Sequence, residues 1–145
     1  MNWMWRFSHK LFSMGRGFRW LARLFEMLQQ ILCSNAISSK CNIGKDTVFF
    51  HHGLGCVVHY NASIGSNCKI FSNVVIGDKW SGNQRSGIAP QIGNNVLIGT
   101  GAVILGNITL GDNCTVGANS VVTKDVPAGS LVVGTNIIKE QPKKE

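Results

Sequence analysis

The stretch that decides the fold runs from residue 92 to residue 127 and reads IGNNVLIGTGAVILGNITLGDNCTVGANSVVTKDVP. An aliphatic side chain recurs in it at every sixth position, and a glycine follows most of these side chains. A period of six fits neither an amphipathic helix nor a strand with one buried face. It is typical of a solenoid, in which each coil covers the apolar face of the next. The aliphatic positions are Ile92, Ile98, Ile104, Leu110, Val116 and Val122.

The same period extends toward the N-terminus in two earlier blocks. Their aliphatic positions are Val58, Ile64, Ile70 and Ile76 in one block, and Ile37, Ile43 and Phe49 in the other. Two positions before many aliphatic residues the sequence carries a small residue, and this slot contains Cys41, Cys56, Ala62, Cys68, Ala102, Cys114 and Ser120. Four of the five cysteines are therefore predicted to be small packing residues. An odd cysteine count without a CxxC pair predicts neither a disulfide framework nor a zinc ribbon.

These repeats resemble the hexapeptide repeats of the left-handed β-helix acyltransferases, over residues 36–136. Residues 92–127 are similar to the C-terminal half of serine acetyltransferases and related sugar O-acetyltransferases. The resemblance implies an all-β fold, a left-handed parallel β-helix of triangular cross-section preceded by a short helical arm. It also implies acetyl-CoA as the acetyl donor, no metal, and a homotrimer that holds the cofactor in grooves between subunits. We expect an arm over 1–33, the β-helix domain over 34–136 and a charged tail over 137–145.

Two interruptions of the repeat are the expected positions of the functional side chains. Nine residues separate Phe49 from Val58, and sixteen separate Ile76 from Ile92. The first interruption contains two adjacent histidines, and the second is a loop within residues 77–89. A loop that leaves a rigid scaffold is a natural wall for a ligand site.

The segment around the first interruption, FFHHGLGCVV at residues 49–58, resembles the catalytic segment of serine acetyltransferases. The resemblance places His52 at the catalytic position, as the general base that removes the proton of the acceptor hydroxyl. Imidazole is the side chain best matched to that task at neutral pH. His51 is a second candidate, for contacting the acceptor or orienting its neighbour, whereas His59 is expected to have a structural role in a turn.

The acceptor is expected to be a sugar hydroxyl, in capsule or exopolysaccharide biosynthesis, and the alternative is L-serine, which would make the protein a serine O-acetyltransferase of cysteine biosynthesis. In the resembling family a supporting Asp occupies the position of Ala36, and another Asp occupies that of His51. The loop also carries Ser86 and its neighbours where the family has an Arg-His pair. The serine-binding groups are therefore mostly missing. The candidate acceptor-binding residues are Trp80, Arg85 and Asp46, the last of which could also supply the supporting carboxylate.

The resemblance implies that the pantetheine arm of acetyl-CoA lies along two glycine-containing turns. Glycine and alanine leave room there for an extended chain and expose backbone groups to its amides. Lys124 is the candidate for contacting the phosphates of CoA. The other candidate cofactor-binding residues are Gly99, Gly101, Ala102, Gly117 and Ala118.

The first 33 residues differ in composition, because they combine aromatic residues with five basic residues against one acidic residue. Apolar residues recur at helical spacing from residue 18 onward, so we expect an amphipathic helix. Such a helix either caps the solenoid or lies on an anionic membrane surface. The sequence shows no apolar run long enough for a membrane span and no signal peptide, so we expect a cytoplasmic protein, peripheral at the inner face of the plasma membrane if the arm binds lipid.

Three other functions are weighed against the acetyltransferase. Nucleic-acid binding is disfavoured because the excess of basic residues is concentrated in the arm and forms no stripe along the repeats. A metal site like that of the γ-class carbonic anhydrases, which share the fold, is disfavoured because the His-x4-His pair of that class is missing. A catalytically silent β-helix that serves as a scaffold is another alternative. Its best support is that Ala36 stands where the resembling family has the supporting Asp.

Overall fold

The computed structural model describes residues 3–81, 84–85 and 87–141. Its main body is a column of coils, each of which contributes one short strand to each of three parallel sheets. The first sheet contains β1 (Ala36–Ile37), β4 (Val57–Val58), β7 (Val75–Gly77), β12 (Val103–Leu105) and β15 (Val121–Val122). The second contains β2 (Asn42–Ile43), β5 (Ser63–Ile64), β10 (Gln91–Ile92) and β13 (Thr109–Leu110). The third contains β3 (Val48–Phe49), β6 (Lys69–Ile70), β11 (Leu97–Ile98), β14 (Thr115–Val116) and β16 (Ser130–Val133).

The predicted period is confirmed by the register of the sheets. Equivalent aliphatic residues pair directly with one another in successive coils, as Ile76 does with Ile104 and Ile104 with Val122. The aliphatic side chains point into the column and form one continuous buried cluster. Six of the largest fully buried side chains are the repeat residues Ile64, Ile70, Ile76, Ile98, Ile104 and Leu110.

The cysteines occupy the places that the repeat predicts. Cys41, Cys56, Cys68 and Cys114 are buried in the core cluster, and their thiols are reduced. Burial raises the pKa of all four thiols, that of Cys41 to about 12, because the charged thiolate is poorly solvated there. Since the thiolate is the reactive form of cysteine, these residues contribute packing rather than chemistry.

The three sheets meet at three edges, which are the columns of turns between them. The histidine edge joins the third sheet to the first and contains residues 50–56, 71–74, 99–102 and 117–120. The loop edge joins the first sheet to the second and contains residues 38–41, 59–62, 78–90, 106–108 and 123–125. The remaining edge, here the third edge, contains residues 44–47, 65–68, 93–96, 111–114 and 127–129. These edges determine which residues can share a site.

Two helices, α1 (Trp3–Ser13) and α2 (Arg19–Cys33), precede the column. They pack against each other and dock on the first coil, where Trp5 is buried and its Nε1 donates a hydrogen bond of 2.9 Å to the Ser38 carbonyl. The His9 ring lies 2.7 Å from the Ser39 carbonyl oxygen. The arm therefore covers the N-terminal end of the solenoid, one of the two roles expected for it. No helix in the described part of the chain is both long and apolar enough to cross a membrane.

The structure differs from the sequence expectation at the C-terminus. Residues 137–140, which were assigned to the charged tail, form strand β17 (Ile137–Glu140), antiparallel to β16. An unpaired strand edge exposes backbone donors and acceptors, and β17 satisfies those of β16. The last four residues of the predicted tail, 142–145, lie outside the described residues.

Candidate functional site

The two adjacent histidines lie on the histidine edge, in a turn over Phe50–Gly53 that the extra residues of the first interruption create. His51 and His52 are exposed, and both have left-handed backbones, with φ of 52° and 58°. Within the described chain the other non-glycine residues with positive φ are Asn or Asp, apart from Ser34. Asn, Asp and His adopt this conformation more often than other non-glycine residues, but it is uncommon even for them. Two adjacent left-handed histidines therefore make an unusual turn, and such backbone conformations cluster at functional sites.

Buried polar side chains between the helical arm and the turn hold the turn in place. Asn35 Nδ2 donates a hydrogen bond of 2.9 Å to the His52 carbonyl, and Gln29 Nε2 donates one of 2.6 Å to Asn35 Oδ1. Gly53, with φ of 74°, packs over Asn35, and a Cβ there would lie 3.3 Å from Asn35 Nδ2. Sequence reasoning missed Gln29 and Asn35. The available signal was a polar residue immediately before Ala36, next to the place where support for His52 was sought.

An aromatic wall adjoins the histidine turn. The ring of Phe50 stacks on that of Phe71, which occupies the equivalent position of the next coil, with 4.6 Å between ring centroids. The turns of the histidine edge are also joined by backbone hydrogen bonds. Asn73 N donates to the Leu54 carbonyl at 2.8 Å, and Gly101 N donates to the Ser72 carbonyl at 3.0 Å. The edge is therefore a rigid column from the histidines to the glycine-containing turns.

Five of the predicted cofactor-binding residues lie on this same edge, two or three coils beyond the histidines. Gly99, Gly101 and Gly117 are half-buried, and Ala118 is exposed. Ala102 is fully buried, so its methyl group packs in the core and contacts no ligand. Gly99 is also required by packing, because a Cβ there would lie 2.6 Å from the backbone nitrogen of Ala118.

Lys124, the remaining cofactor candidate, is exposed on the loop edge, not on the histidine edge. The neighbouring Asp125 accepts a hydrogen bond of 2.7 Å from Thr109 N, which fixes this turn. Within one chain the structure therefore does not bring Lys124 together with Gly99 and Gly117.

The predicted acceptor residues are not gathered around His52 in one chain. Asp46 is exposed on the third edge, and strand β3 lies between it and the histidine turn. Trp80 and Arg85 belong to a hairpin of strands β8 (Trp80–Ser81) and β9 (Gln84–Arg85) on the loop edge. Their side chains lie outside the described part of the structure, as does Ser86. The expectation that Asp46 supports His52 is therefore wrong within a single chain.

The loop edge is anchored close to the third histidine. Asp78 Oδ2 accepts a hydrogen bond of 2.8 Å from Gly87 N, and Asn61 Nδ2 donates one of 2.7 Å to the Gly87 carbonyl. His59 Nδ1 accepts a hydrogen bond from Asn61 N at 3.2 Å, and its ring lies against Tyr60. These contacts give His59 the structural role in a turn that the sequence predicts.

No carboxylate of residues 3–81, 84–85 and 87–141 lies on the histidine edge. The described carboxylates are Asp78 and Asp125 on the loop edge, Asp46 and Asp112 on the third edge, Glu26 on α2 and Glu140 on β17. Nor does this described part contain a group of three or more His, Cys, Asp or Glu side chains that could hold a metal ion. Within the described residues, the ionisable side chains of the histidine edge are those of His51, His52 and the buried Cys56.

Comparison with known proteins finds relatives by sequence. Residues 89–124 match the bacterial transferase hexapeptide family (six repeats). The chain is 36% identical over 140 residues to a serine acetyltransferase of Staphylococcus aureus, covering 95% of this chain and 63% of the relative. A serine acetyltransferase of Staphylococcus epidermidis is 36% identical over 141 residues, with 96% of this chain and 64% of the relative covered. The chain thus spans less than two thirds of the length of these relatives.

The solved structures to which this chain is similar are also serine acetyltransferases. A soybean serine acetyltransferase complexed with serine has a TM-score of 0.81 and 38% identity, over 94% of this chain and 54% of that one. A Brucella abortus serine acetyltransferase in complex with coenzyme A has a TM-score of 0.81 and 30% identity, over 90% of this chain and 50% of that one. The parallel sheets, the repeat and these neighbours show that the column is a left-handed β-helix. By sequence and by fold, this chain carries the hexapeptide repeats of the bacterial transferase family and is similar to serine acetyltransferases.

Proposed function

We propose that the protein is an acetyl-CoA-dependent O-acetyltransferase in which His52 is the general base. The observation that carries this proposal is the exposed imidazole of His52, held in a left-handed turn on the edge that also presents Gly99 and Gly117. Similarity to serine acetyltransferases, one of them solved with coenzyme A, supports acetyl-CoA as the acetyl donor.

The reaction needs no acyl-enzyme. His52 takes the hydroxyl proton while the acceptor oxygen attacks the thioester carbonyl, and a tetrahedral oxyanion forms. Backbone N–H groups can stabilise such an oxyanion. The intermediate then collapses, the carbon–sulfur bond breaks, and the CoA thiolate leaves with the proton that the imidazolium returns. The products are the acetyl ester and CoA, and His52 ends neutral.

The comparisons favour L-serine as the acceptor over the sugar expected from sequence. The relatives are serine acetyltransferases, and the soybean structure contains serine. A sugar hydroxyl remains a second candidate because no described carboxylate on the histidine edge could pair with the ammonium group of serine. In serine's case a neighbouring copy would have to supply one, and the loop edge carries two carboxylates, Asp78 and Asp125.

Release of the CoA thiol by the purified protein tests both the reaction and the acceptor. We expect L-serine to accelerate thiol release from acetyl-CoA well above the rate without acceptor. If sugars accelerate thiol release and serine does not, the proposed reaction stands and the acceptor is a sugar hydroxyl. No acceleration by either class would contradict the proposal and favour a silent scaffold.

We further propose that the site is completed in a homotrimer. In one chain the first sheet lies between the histidine edge and the loop edge, which separates His52 from the loop that carries Trp80 and Arg85. Packing the histidine edge of one copy against the loop edge of the next brings them together, and a cyclic trimer repeats that contact three times.

Light scattering checks this assembly. For a chain of 15.8 kDa we expect the mass of three copies at micromolar concentration. A mass of one copy under the conditions in which the protein is active would contradict the shared site.

We also propose that the outer face of the arm binds an anionic membrane surface. Trp20, Ile31 and Leu32 on α2 are 67%, 68% and 71% exposed. The arm also exposes its five basic side chains, Arg6, Lys10, Arg16, Arg19 and Arg23. An exposed apolar face accompanied by positive charge is typical of helices that lie at a lipid interface.

Sedimentation with vesicles containing phosphatidylserine tests this role. Replacing Trp20 and Ile31 by serine is expected to lower the bound fraction several-fold, because the apolar contribution to binding is lost. Replacing Ile137 and Ile138 by serine, at exposed positions at the other end of the column, should leave the bound fraction unchanged. Equal binding of both variants would leave the arm only its capping role.

A further inference from the structure

Two buried polar side chains link the helical arm to the histidine turn. Gln29 on α2 is 1% exposed and Asn35, just before β1, is 3% exposed. Gln29 Nε2 donates to Asn35 Oδ1 at 2.6 Å, and Asn35 Nδ2 donates to the His52 carbonyl at 2.9 Å. The amide of Asn35 is thereby fixed in one orientation, because only its NH₂ group can donate to a carbonyl.

This pair is poorly explained by stability alone. Gln29 Oε1 is buried and has no hydrogen-bond partner within the described structure. A buried acceptor without a partner is destabilising, and in a native protein it calls for another explanation. The same volume filled by an apolar side chain would avoid that cost.

What the pair holds is the backbone of His52. Within the described chain no hydrogen bond holds the ring of His52, and no carboxylate lies on its edge. The left-handed φ of 58° is unfavourable for histidine, so the surrounding structure has to impose it. The bond from Asn35 to the His52 carbonyl fixes the peptide plane that follows the residue, and Gly53 leaves the room for it.

We propose that Gln29 and Asn35 are positioning residues for His52: together they hold its backbone so that the imidazole faces the reacting groups. This inference rests on the proposed role of His52. It gives the arm a part in the reaction, since Gln29 belongs to α2. A side chain displaced by about 1 Å can lose on the order of a hundredfold in rate, so orientation through the backbone matters.

The decisive variant replaces both residues, Gln29→Leu with Asn35→Leu. The variant removes both partners of the Gln29–Asn35 hydrogen bond, which is close to neutral, but it leaves the His52 carbonyl without its donor. We therefore expect a folded protein whose melting temperature is modestly lowered. We expect kcat with the acceptor identified in the thiol-release assay to fall by about tenfold to a hundredfold, with the KM for acetyl-CoA little changed.

Thr47→Val is the matched control. Thr47 is fully buried on the third edge, where its Oγ1 donates to the Gly65 carbonyl at 2.7 Å and accepts from Cys68 N at 3.0 Å. This variant also removes buried hydrogen bonds, but it does so away from His52. It should lower the melting temperature at least as much as the double variant does and leave kcat unchanged, so that a loss of kcat in the double variant alone is not an effect of stability.

A second measurement separates failure of this inference from failure of the proposed function. Backbone and ring NMR shifts of His52 are expected to move in the double variant and to stay in place in Thr47→Val, whether or not turnover is found. Unchanged His52 shifts, a kcat within about threefold of wild type, or an equal loss of kcat in Thr47→Val would each overturn the positioning role. If the wild-type protein shows no turnover but the His52 shifts move in the double variant as expected, the proposed reaction is wrong and the positioning role stands.

Discussion

His52→Ala is expected to lower turnover by roughly 10²–10⁴, which is the usual contribution of a positioned general base. His52 lies on an exposed turn outside the inward positions of the repeat, so its loss creates no cavity in the core. The fold, the assembly and the KM for acetyl-CoA should therefore be retained. Steady-state kinetics with circular dichroism and light scattering on the same preparation check all of these.

His51→Ala is the matched control, because it changes the neighbouring exposed imidazole, whose backbone has nearly the same φ. We expect a smaller loss, seen mainly in the KM for the acceptor, since this residue is proposed to contact the acceptor rather than move a proton. If His52→Ala keeps turnover within about threefold, the base is elsewhere, and His51 is the next candidate.

Gly99→Ala should destabilise the column and weaken acetyl-CoA binding together. The added methyl would lie 2.6 Å from Ala118 N and 2.9 Å from Ala118 Cα, both of which belong to the rigid backbone of the next coil. Overpacking of this kind costs about 1–3 kcal/mol, and the two turns proposed to hold the pantetheine arm would be forced apart. Thermal melting and the KM for acetyl-CoA measure the two effects.

Gly17→Ala is the control for this substitution. A Cβ at Gly17 meets nothing within 4 Å, so the change should alter stability by no more than about 0.5 kcal/mol and leave the KM unchanged. Equal melting temperatures for Gly99→Ala and wild type would show that the coils can separate there without cost. The described packing of the histidine edge would then be wrong.

The fold was predictable because every coil repeats the same requirement. One inward aliphatic residue per six positions fixes the strand, the register with the next coil and the place of each turn. Ile76, Ile104 and Val122 pair accordingly in three successive coils. The strand β17 was not predictable in this way, because it lies outside the repeat and pairs antiparallel with the last strand.

The places of the candidate residues were predicted where they depend on the repeat and missed where they depend on contacts across the chain. The break in the period predicts the histidine turn, whereas the role of His52 follows from the resemblance to serine acetyltransferases and stays a prediction. Asp46 was misplaced because six residues span one side of the triangle, so a residue six positions before His52 lies on the preceding edge. Asn35 was missed because its partners are six residues away in α2 and seventeen residues away in the histidine turn, and only the docked arm brings them together.

The central claim is that this chain moves an acetyl group from acetyl-CoA to a hydroxyl group. Mass spectrometry of the acceptor after incubation with the purified protein and isotopically labelled acetyl-CoA tests it most directly. We predict an acetyl ester of the acceptor, L-serine first, that carries the label and does not form with His52→Ala. Labelled acetate without any acetylated acceptor, or no consumption of acetyl-CoA, would contradict the claim.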